Sequence, residues 1–308
     1  MSSPTGPASG LPVRMPRPRQ PGRHRRPEPL AAPEGAPALV LAVPGTPSAA
    51  TRGLAEEIVS IARSELPGLD ARIGYVDGDD EEFPTLQAVL SYAADERTAR
   101  YEQALAAGVE DVKEPDGPVA VVVPLLAGPD SALLRQVRQA VMESRVAAEL
   151  TDVLGPHPLL AEALHVRLSE AGLARADRAR LFTVATAADG IVLASVGGEE
   201  AVQAAGITGM LLAARLAVPV MAAALDQEGS ITSVAEQLRA AGSQQLALAP
   251  YLIGPEIDAA LVEEAAKEAG CSASEALGPY PAIGKLALAK YTTALGIAPQ
   301  QPQGAPVR

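Results

Sequence analysis

The sequence predicts an α/β fold built from two similar domains, each a parallel sheet flanked by helices. Short apolar runs alternate with longer segments of helical periodicity, which is the pattern of strand–helix–strand units. Two different motifs each occur twice along the chain, in the same order. The chain has 308 residues, 48% of them hydrophobic, which is enough for about two domains with their own cores.

Composition and charge exclude several classes of protein. The net charge of −12 and the 3% aromatic content argue against nucleic acid as a partner, because a phosphate backbone requires a basic face. A single cysteine, Cys271, excludes an intramolecular disulfide and a thiolate zinc site, and it favours a reducing, cytoplasmic location. No apolar run approaches the ~20 residues of a transmembrane helix, so we expect no membrane insertion.

The first 36 residues differ from the rest of the chain in charge and proline content. They contain six arginines and two acids, so they carry +4 and the remainder carries −16. We predict a disordered basic arm, either solvated or in weak contact with an anionic surface. Arg25 and Arg26 do not form a twin-arginine export signal, because prolines and acids follow them instead of an apolar stretch. Residues 297–308, rich in Pro and Gln, are predicted to be a flexible tail.

An internal repeat divides the chain into two halves. Residues 124–130 (PLLAGPD) resemble residues 250–256 (PYLIGPE), 126 positions later, and residues 154–158 (LGPHP) resemble 277–281 (LGPYP), 123 positions later. Two motifs in the same order at nearly the same spacing indicate a duplication. We predict a first domain over 37–173 and a second over 174–296. The boundary falls near 174–188, and residues 96–117 are an insertion in the first half.

Each half is predicted to consist of strands that alternate with helices. In the first half we predict strands at 39–43, 71–76 and 119–126 and a fourth strand before Leu154. Helices are predicted to run through Leu54, after Pro84 at a first-turn position, from Ser131, and over 158–171. In the second half we predict strands at 191–195, 218–225 and 245–253, and helices at 200–216, 231–241, 256–269 and after Pro281. This alternation implies parallel sheets with right-handed crossovers.

A ligand site is expected beyond the carboxyl ends of the strands, where open parallel sheets bind their ligands. The candidate cleft residues at these ends are Pro44, Gly45, Thr46, Gly128, Gly197 and Gly254. Acids follow matching strands in both halves, with Asp77 paired to Asp226 and Asp130 paired to Glu256. If the halves face each other, these ends line one cleft.

Two interpretations of the four acids stay open. Carboxylates are hard oxygen ligands and proton acceptors, so Asp77, Asp130, Asp226 and Glu256 are candidate metal ligands. Alternatively, Asp130 and Glu256 cap the helices that follow them, and the acidic run at 77–82 is a solvated loop.

Other motifs point away from common chemistries. The chain has neither a dinucleotide fingerprint nor a phosphate loop ending in Gly-Lys-Ser/Thr, so we predict no nucleotide cofactor. No Gly-x-Ser-x-Gly elbow supplies a hydrolase nucleophile. His157 begins a predicted helix, and its partner in the repeat is Tyr280, which favours packing or capping over metal binding.

These features resemble the sirohydrochlorin cobalto-/ferrochelatase family, the class II chelatases of cobalamin and sirohaem synthesis. The resemblance covers most of residues 38–294. It rests on the two-half α/β plan, the first strand ending in a short glycine loop, the Val-Pro-Leu-Leu segment at 123–126 and the Leu-Gly-Pro-His-Pro segment at 154–158. It implies two chelatase-like domains, a tetrapyrrole ligand, and divalent cobalt or iron as the inserted substrate.

The residues at the family's metal-binding positions depart from the family pattern. The resemblance puts one family histidine at Pro44, before Gly45 and Thr46, and the second at Ala132, so both imidazoles are absent. The matching positions of the second half, Val196 and Asp258, do not restore them. Imidazole suits late first-row ions better than carboxylate does, so the resemblance implies impaired metal insertion.

Three hypotheses follow from the sequence. The protein is a chelatase that uses carboxylate ligands, or a catalytically silent module that binds a tetrapyrrole or a metal, or an interaction protein whose basic arm and acidic body carry its function.

Overall fold

The computed structural model describes residues 31–33, 35–109, 114, 116–174, 187–254 and 256–296. Most of the predicted arm, the predicted tail and much of the predicted boundary at 174–188 lie outside the described residues. Among the described residues, no helix combines the length and apolar character needed to cross a membrane.

Strands and helices alternate through both halves, as the sequence predicts. The elements of the first half are β1 (Ala38–Val43), α1 (Ala49–Glu65), β2 (Ala71–Tyr75), α2 (Leu86–Ala106), β3 (Ala120–Pro124), α3 (Ser131–Ser144), β4 (Ala148–Leu150) and α4 (Pro158–Glu170). Those of the second half are β5 (Gly190–Ser195), α5 (Gly198–Leu216), β6 (Val220–Ala224), α6 (Ser230–Ala240), β7 (Leu246–Pro250), α7 (Ala259–Glu268), β8 (Ser272–Ala273) and α8 (Pro281–Ala294).

The two halves share one sheet topology. The strand orders are β2-β1-β3-β4 and β6-β5-β7-β8, and every pairing is parallel. Equivalent hydrogen bonds recur after both sheets: Leu154 N donates to Leu126 O, and Leu277 N donates to Leu252 O. The duplication read from the sequence is therefore present in the backbone, and the predicted fold class of two parallel sheets flanked by helices is confirmed.

Side chains on the two faces of each sheet pack into different cores. Successive strand residues point to opposite faces, so Val40 and Val122 pack under α2 and α3, whereas Leu39 and Val121 pack into the centre of the molecule. The second sheet packs α6 and α7 on its outer face in the same way. One continuous central core joins the inner faces of the two sheets, with α1, α4, α5 and α8 between them.

The last helix of each half packs on the other half. Helix α4 contacts α5 and β7, and α8 contacts α1 and β3. The Tyr291 hydroxyl at the end of α8 donates to Pro37 O, 2.7 Å away, just before β1. Gly284 lets α8 lie close to α1, because a Cβ there would be 2.6 Å from Ile61 Cγ2. This exchange of helices brings residues of both halves to shared surfaces.

Two predicted helix starts were wrong, and both for the same reason. Pro84 does not occupy the first turn of α2, because Thr85 caps the helix by accepting from Ala88 N at 3.2 Å. The helix expected from Glu256 starts at Ala259, because Asp258 is its cap. In each case a short polar side chain beyond the predicted start satisfies the exposed N–H groups of the helix.

Candidate functional site

The loop after β1 holds the first three candidate cleft residues. Pro44 is buried, Gly45 has φ of 80°, and Thr46 is exposed. Ser48 then caps α1 in a reciprocal pair with Thr51, in which each side chain accepts from the backbone N–H of the other residue. The loop therefore carries no side chain with metal-binding or acid–base chemistry, at the position where the resemblance puts a histidine.

The acidic loop after β2 is held by its own carboxylates. Asp79 accepts from three backbone N–H groups, those of Glu81, Glu82 and Phe83, and the bond from Phe83 is the main cause of its lowered pKa. Asp80 accepts from Thr85 N at 2.8 Å. Asp77 is exposed and lines none of the cavities described below.

Asp130 and Glu256, paired in the sequence, have different roles in the structure. Asp130 caps α3 by accepting from Ala132 N and Leu133 N at 2.9 and 3.0 Å. Its structural counterpart is Asp258, the cap of α7, because the second half has two more residues in this loop.

Glu256 lies in those additional residues. Its carboxylate accepts from Ile253 N and Gly254 N at 2.8 and 2.6 Å, and so fixes the loop after β7. Burial raises the pKa of Glu256, although the two backbone hydrogen bonds act to lower it. The negative charge of Asp130 raises the pKa further. Two acids from different halves therefore lie close enough to interact.

Asp226 and Gly197 form another contact within the second half. Gly197 N donates to Asp226 Oδ2 at 3.0 Å, which ties the loop after β6 to the start of α5. Gly197 also packs against the first half, because a Cβ there would be 2.7 Å from Pro129 O and 2.9 Å from Asp130 Cα. Its φ of 108° likewise requires glycine.

The centre of the expected cleft is filled by Tyr251. This side chain is 1% exposed, its ring lies 3.3 Å from the Cβ position of Gly128, and its hydroxyl accepts from Thr208 Oγ1 at 3.1 Å. Burial raises its pKa to about 12. The carboxyl ends of the two sheets therefore meet in close packing at this point.

A small cavity of about 10 Å³, with room for about one water molecule, remains beside Tyr251. Its walls include Gly128, Asp130, Ser195 and Glu256. Two of the four predicted acids thus share a cavity, and Asp77 and Asp226 do not line it. Gly254 does not line this cavity. It lies beside α1, because a Cβ at this position would be 3.3 Å from Leu54 Cδ1.

A much larger groove of about 650 Å³ opens between the halves. The first half contributes Pro129, residues 150–153, 155 and 156, and two side chains of α3, while the second half contributes one face of α5 and Lys290 of α8. Arg138 and Lys290 supply positive charge, and Asp152 and Glu200 supply negative charge. Among the described residues, neither Arg138 nor Lys290 forms an ion pair.

The histidines in the described residues have structural contacts. His157 caps α4 through Nδ1, which accepts from Leu159 N at 3.1 Å, so the interpretation as a cap is confirmed. Burial, and secondarily the charge of Lys290, lowers the pKa of His157. His165 is buried, and its Nδ1 accepts from Arg215 Nε at 2.8 Å. Within the described part of the chain, no three His, Cys, Asp or Glu side chains are arranged to hold a metal ion.

No family model matches the sequence, and no curated protein matches it. The structure is similar to DR2241 from Deinococcus radiodurans, a multi-domain protein described as structurally similar to chelatases and as carrying two additional novel domains. The TM-score is 0.52 at 16% identity, and the match covers 82% of this chain and 55% of DR2241. The chain thus spans about half the length of that protein. The likeness shows a chelatase-like fold for this chain.

Two transporter proteins give weaker matches. They are a periplasmic ribose ABC transporter protein from Conexibacter woesei, at 14% identity, and a 5-methylthioribose-binding protein from Thermotoga lettingae, at 12% identity. They cover 88% and 84% of this chain, and this chain covers 72% and 81% of theirs. Both TM-scores are 0.29, which is too low to bear on fold or function.

Proposed function

We propose that this protein binds a tetrapyrrole in the groove between its halves and does not insert metal into it. The observation that carries the proposal is the 650 Å³ groove, with Arg138 from one half and Lys290 from the other in its walls. The groove lies at the carboxyl ends of the first sheet, where this class of fold binds ligands, and its volume is within the range of small-molecule sites.

The groove walls match an apolar ring system with carboxylate arms. Leu134, Leu150 and Ile207 supply apolar surface from both halves. The guanidinium of Arg138 and the ammonium of Lys290 are available to carboxylates, because neither is engaged in an ion pair within the described residues. Sirohydrochlorin, the substrate implied by the sequence resemblance, combines these two chemical features.

Metal insertion requires groups that hold the ion and accept pyrrole protons. Three of the four acids at the strand ends already accept backbone hydrogen bonds, and the fourth, Asp77, is exposed outside the cavities. Asp130 caps α3, Glu256 holds the loop after β7, and Asp226 binds Gly197 N. Both oxygens of Glu256 accept these bonds, so cobalt or iron would have to displace them there, whereas Asp130 and Asp226 each keep only one oxygen that accepts no such bond. We therefore expect binding of the tetrapyrrole without metallation.

An absorbance titration with metal-free sirohydrochlorin tests the proposal. Wild-type protein is expected to shift the spectrum of the ligand at micromolar concentrations. Arg138→Gln and Lys290→Gln should each raise the Kd about tenfold, as expected for loss of one charge-assisted contact. Arg135→Gln, on the exposed face of the same helix and outside the groove, is the matched control and should leave the Kd unchanged.

Two outcomes would contradict the proposal. If no spectral shift occurs up to high micromolar protein, the groove does not bind this ligand class. If Arg135→Gln weakens binding as much as Arg138→Gln does, attraction by overall charge explains the result rather than the groove.

A second candidate, an active chelatase, is favoured by one observation. Asp130 and Glu256 come from different halves and line the same small cavity, and carboxylates can accept pyrrole protons. This candidate predicts that cobalt or ferrous insertion into sirohydrochlorin is faster with protein than without, and that Glu256→Gln abolishes the acceleration. If metal insertion is no faster than the spontaneous reaction, the chelatase candidate is rejected and only the binding function remains.

A further inference from the structure

A second groove, of about 370 Å³, lies wholly within the second half. It runs from the end of β7 past the first turns of α7 to the segment after β8. Apolar side chains form most of its walls, and Glu263 and Glu275 provide the charged groups. The lining residues on α7 and the loop before it include Ile257, Ala259, Val262 and Glu263, and Ser274 and Glu275 line the opposite side.

This groove occupies the same place on the second sheet as the larger groove does on the first. Val262 and Leu134 each lie four residues after the aspartate that caps their helix, and both line a groove. The segment after β8, held by the bond from Ser274 N to Leu248 O, matches the segment after β4, held by the bond from Thr151 N to Val122 O. The duplication has therefore produced two grooves from one backbone plan.

The two grooves differ in charge. The larger one contains Arg138 and Lys290 beside Asp152 and Glu200, whereas the smaller one is lined by carboxylates and by no cationic side chain. Glu263 is exposed and forms no ion pair among the described residues. Glu275 lies 3.9 Å from Arg167 Nη1, but that guanidinium is already engaged by Glu170 and by Leu277 O. The negative charge of the groove is thus largely uncompensated.

We propose that the second groove is a binding site for a small organic amine, with its apolar body against Ile257 and Val262 and its ammonium group at Glu263. The apolar walls favour a ligand with a hydrocarbon body, and the uncompensated carboxylates favour a cation over a neutral or anionic ligand. This site is independent of the tetrapyrrole proposed for the larger groove, because the two grooves share no lining residue.

Methyl NMR of the full chain with 2-phenylethylamine, and with its neutral counterpart 2-phenylethanol, tests the proposal. The amine is expected to shift the methyl signals of Ile257 and Val262 and to bind more tightly than the alcohol. Glu263→Gln should raise the Kd of the amine about two- to fivefold, the effect of one partly exposed ion pair. Glu264→Gln, the next residue on the same helix and outside the groove, makes the same charge change and should have no effect.

A third variant tests the groove itself. Ala259 is exposed at the start of α7 and lines the groove, so Ala259→Trp should block the site without entering the core. The proposal is overturned if the alcohol binds as tightly as the amine, if Glu264→Gln and Glu263→Gln weaken binding equally, or if the shifted methyl groups belong to the larger groove. None of these results would alter the outcome of the titration with sirohydrochlorin.

Discussion

The two grooves of this molecule arise from equivalent positions of a duplicated fold, yet they differ in construction. The larger groove is walled by both halves, because α5 and α8 of the second half lie against it. The smaller groove is walled by the second half alone, although α1 approaches Gly254 nearby. A shared backbone plan therefore fixes where a groove forms, and the side chains of neighbouring helices decide its size and charge.

The same contrast appears at the junction of the halves. Tyr251 and Leu125 occupy equivalent positions after β7 and β3, and both are buried. Only the tyrosine of this pair brings a hydroxyl into the core, where it accepts from Thr208 and adjoins the Cβ position of Gly155. The second half thus contributes the larger side chain, and the first half contributes the glycines that accommodate it.

The largest effect is expected from comparing Gly155 with its counterpart Gly278. A methyl group at Gly155 would overlap Tyr251 Oη and lie 2.5 Å from Ala127 O, so Gly155→Ala should cost about 3 kcal/mol or more of unfolding free energy. At Gly278 the nearest atom is Nη2 at the far end of the Arg167 side chain, which could shift by giving up its bond to Leu277 O, and φ is 62°. Gly278→Ala should therefore cost about 1 kcal/mol. Urea unfolding measures the free energy of unfolding of both variants. Equal losses in the two would contradict the inference that the two halves pack differently at their junction.

The next largest effect is expected in the pH dependence of stability, in a comparison of wild type with Tyr251→Phe. Burial raises the pKa of Tyr251 from 10.0 to about 12, so folding favours the neutral phenol. The contribution of the neutral Tyr251 to the free energy of unfolding is complete below pH 10. It is lost as the pH rises through 12, and the loss is roughly 2–3 kcal/mol at most. Tyr251→Phe should be less stable than wild type at pH 8, by about 1 kcal/mol for the lost hydrogen bond.

At pH 11 that difference should shrink or reverse, because phenylalanine does not ionise. Urea unfolding at the two pH values checks this. Tyr291 has a similarly raised pKa, of about 12, and remains in both proteins, so some loss of stability at high pH should persist in Tyr251→Phe. An undiminished difference at pH 11 would argue that Tyr251 ionises freely in the folded protein.

The smallest effects are expected at the two helix caps. Asp130 accepts from two backbone N–H groups and Asp258 from one, so Asp130→Ala should cost about 1–2 kcal/mol and Asp258→Ala about 0.5–1 kcal/mol. Thermal unfolding of the two variants gives the order. Asp77→Ala, at an exposed acid outside the cavities, is the control and should be within about 0.5 kcal/mol of wild type. A larger loss of stability in Asp258→Ala than in Asp130→Ala would contradict the expected order.

The sequence alone predicts the fold class, because its evidence is local and repeated. Strands such as β1 and β5 are continuous apolar runs that need burial on both faces, and the repeated Gly-Pro segments indicate that the two halves share one plan. Capping is also one of the two interpretations that the sequence leaves open for Asp130, and packing or capping is favoured for His157, since a capping side chain bonds to N–H groups only two or three residues away. The same interpretation was wrong for Glu256, because Asp258 caps α7.

Only the tertiary structure decided how the halves share surfaces. Lys290 and Arg138 are separated by more than 150 residues, and no periodic pattern indicates that α8 packs on the first half and brings them into one groove. The equivalence of Asp130 with Asp258, rather than with Glu256, likewise depends on where α7 begins. Contacts between distant segments depend on the packing of whole helices, and that packing is decided by the shape of the assembled core rather than by any local run of residues.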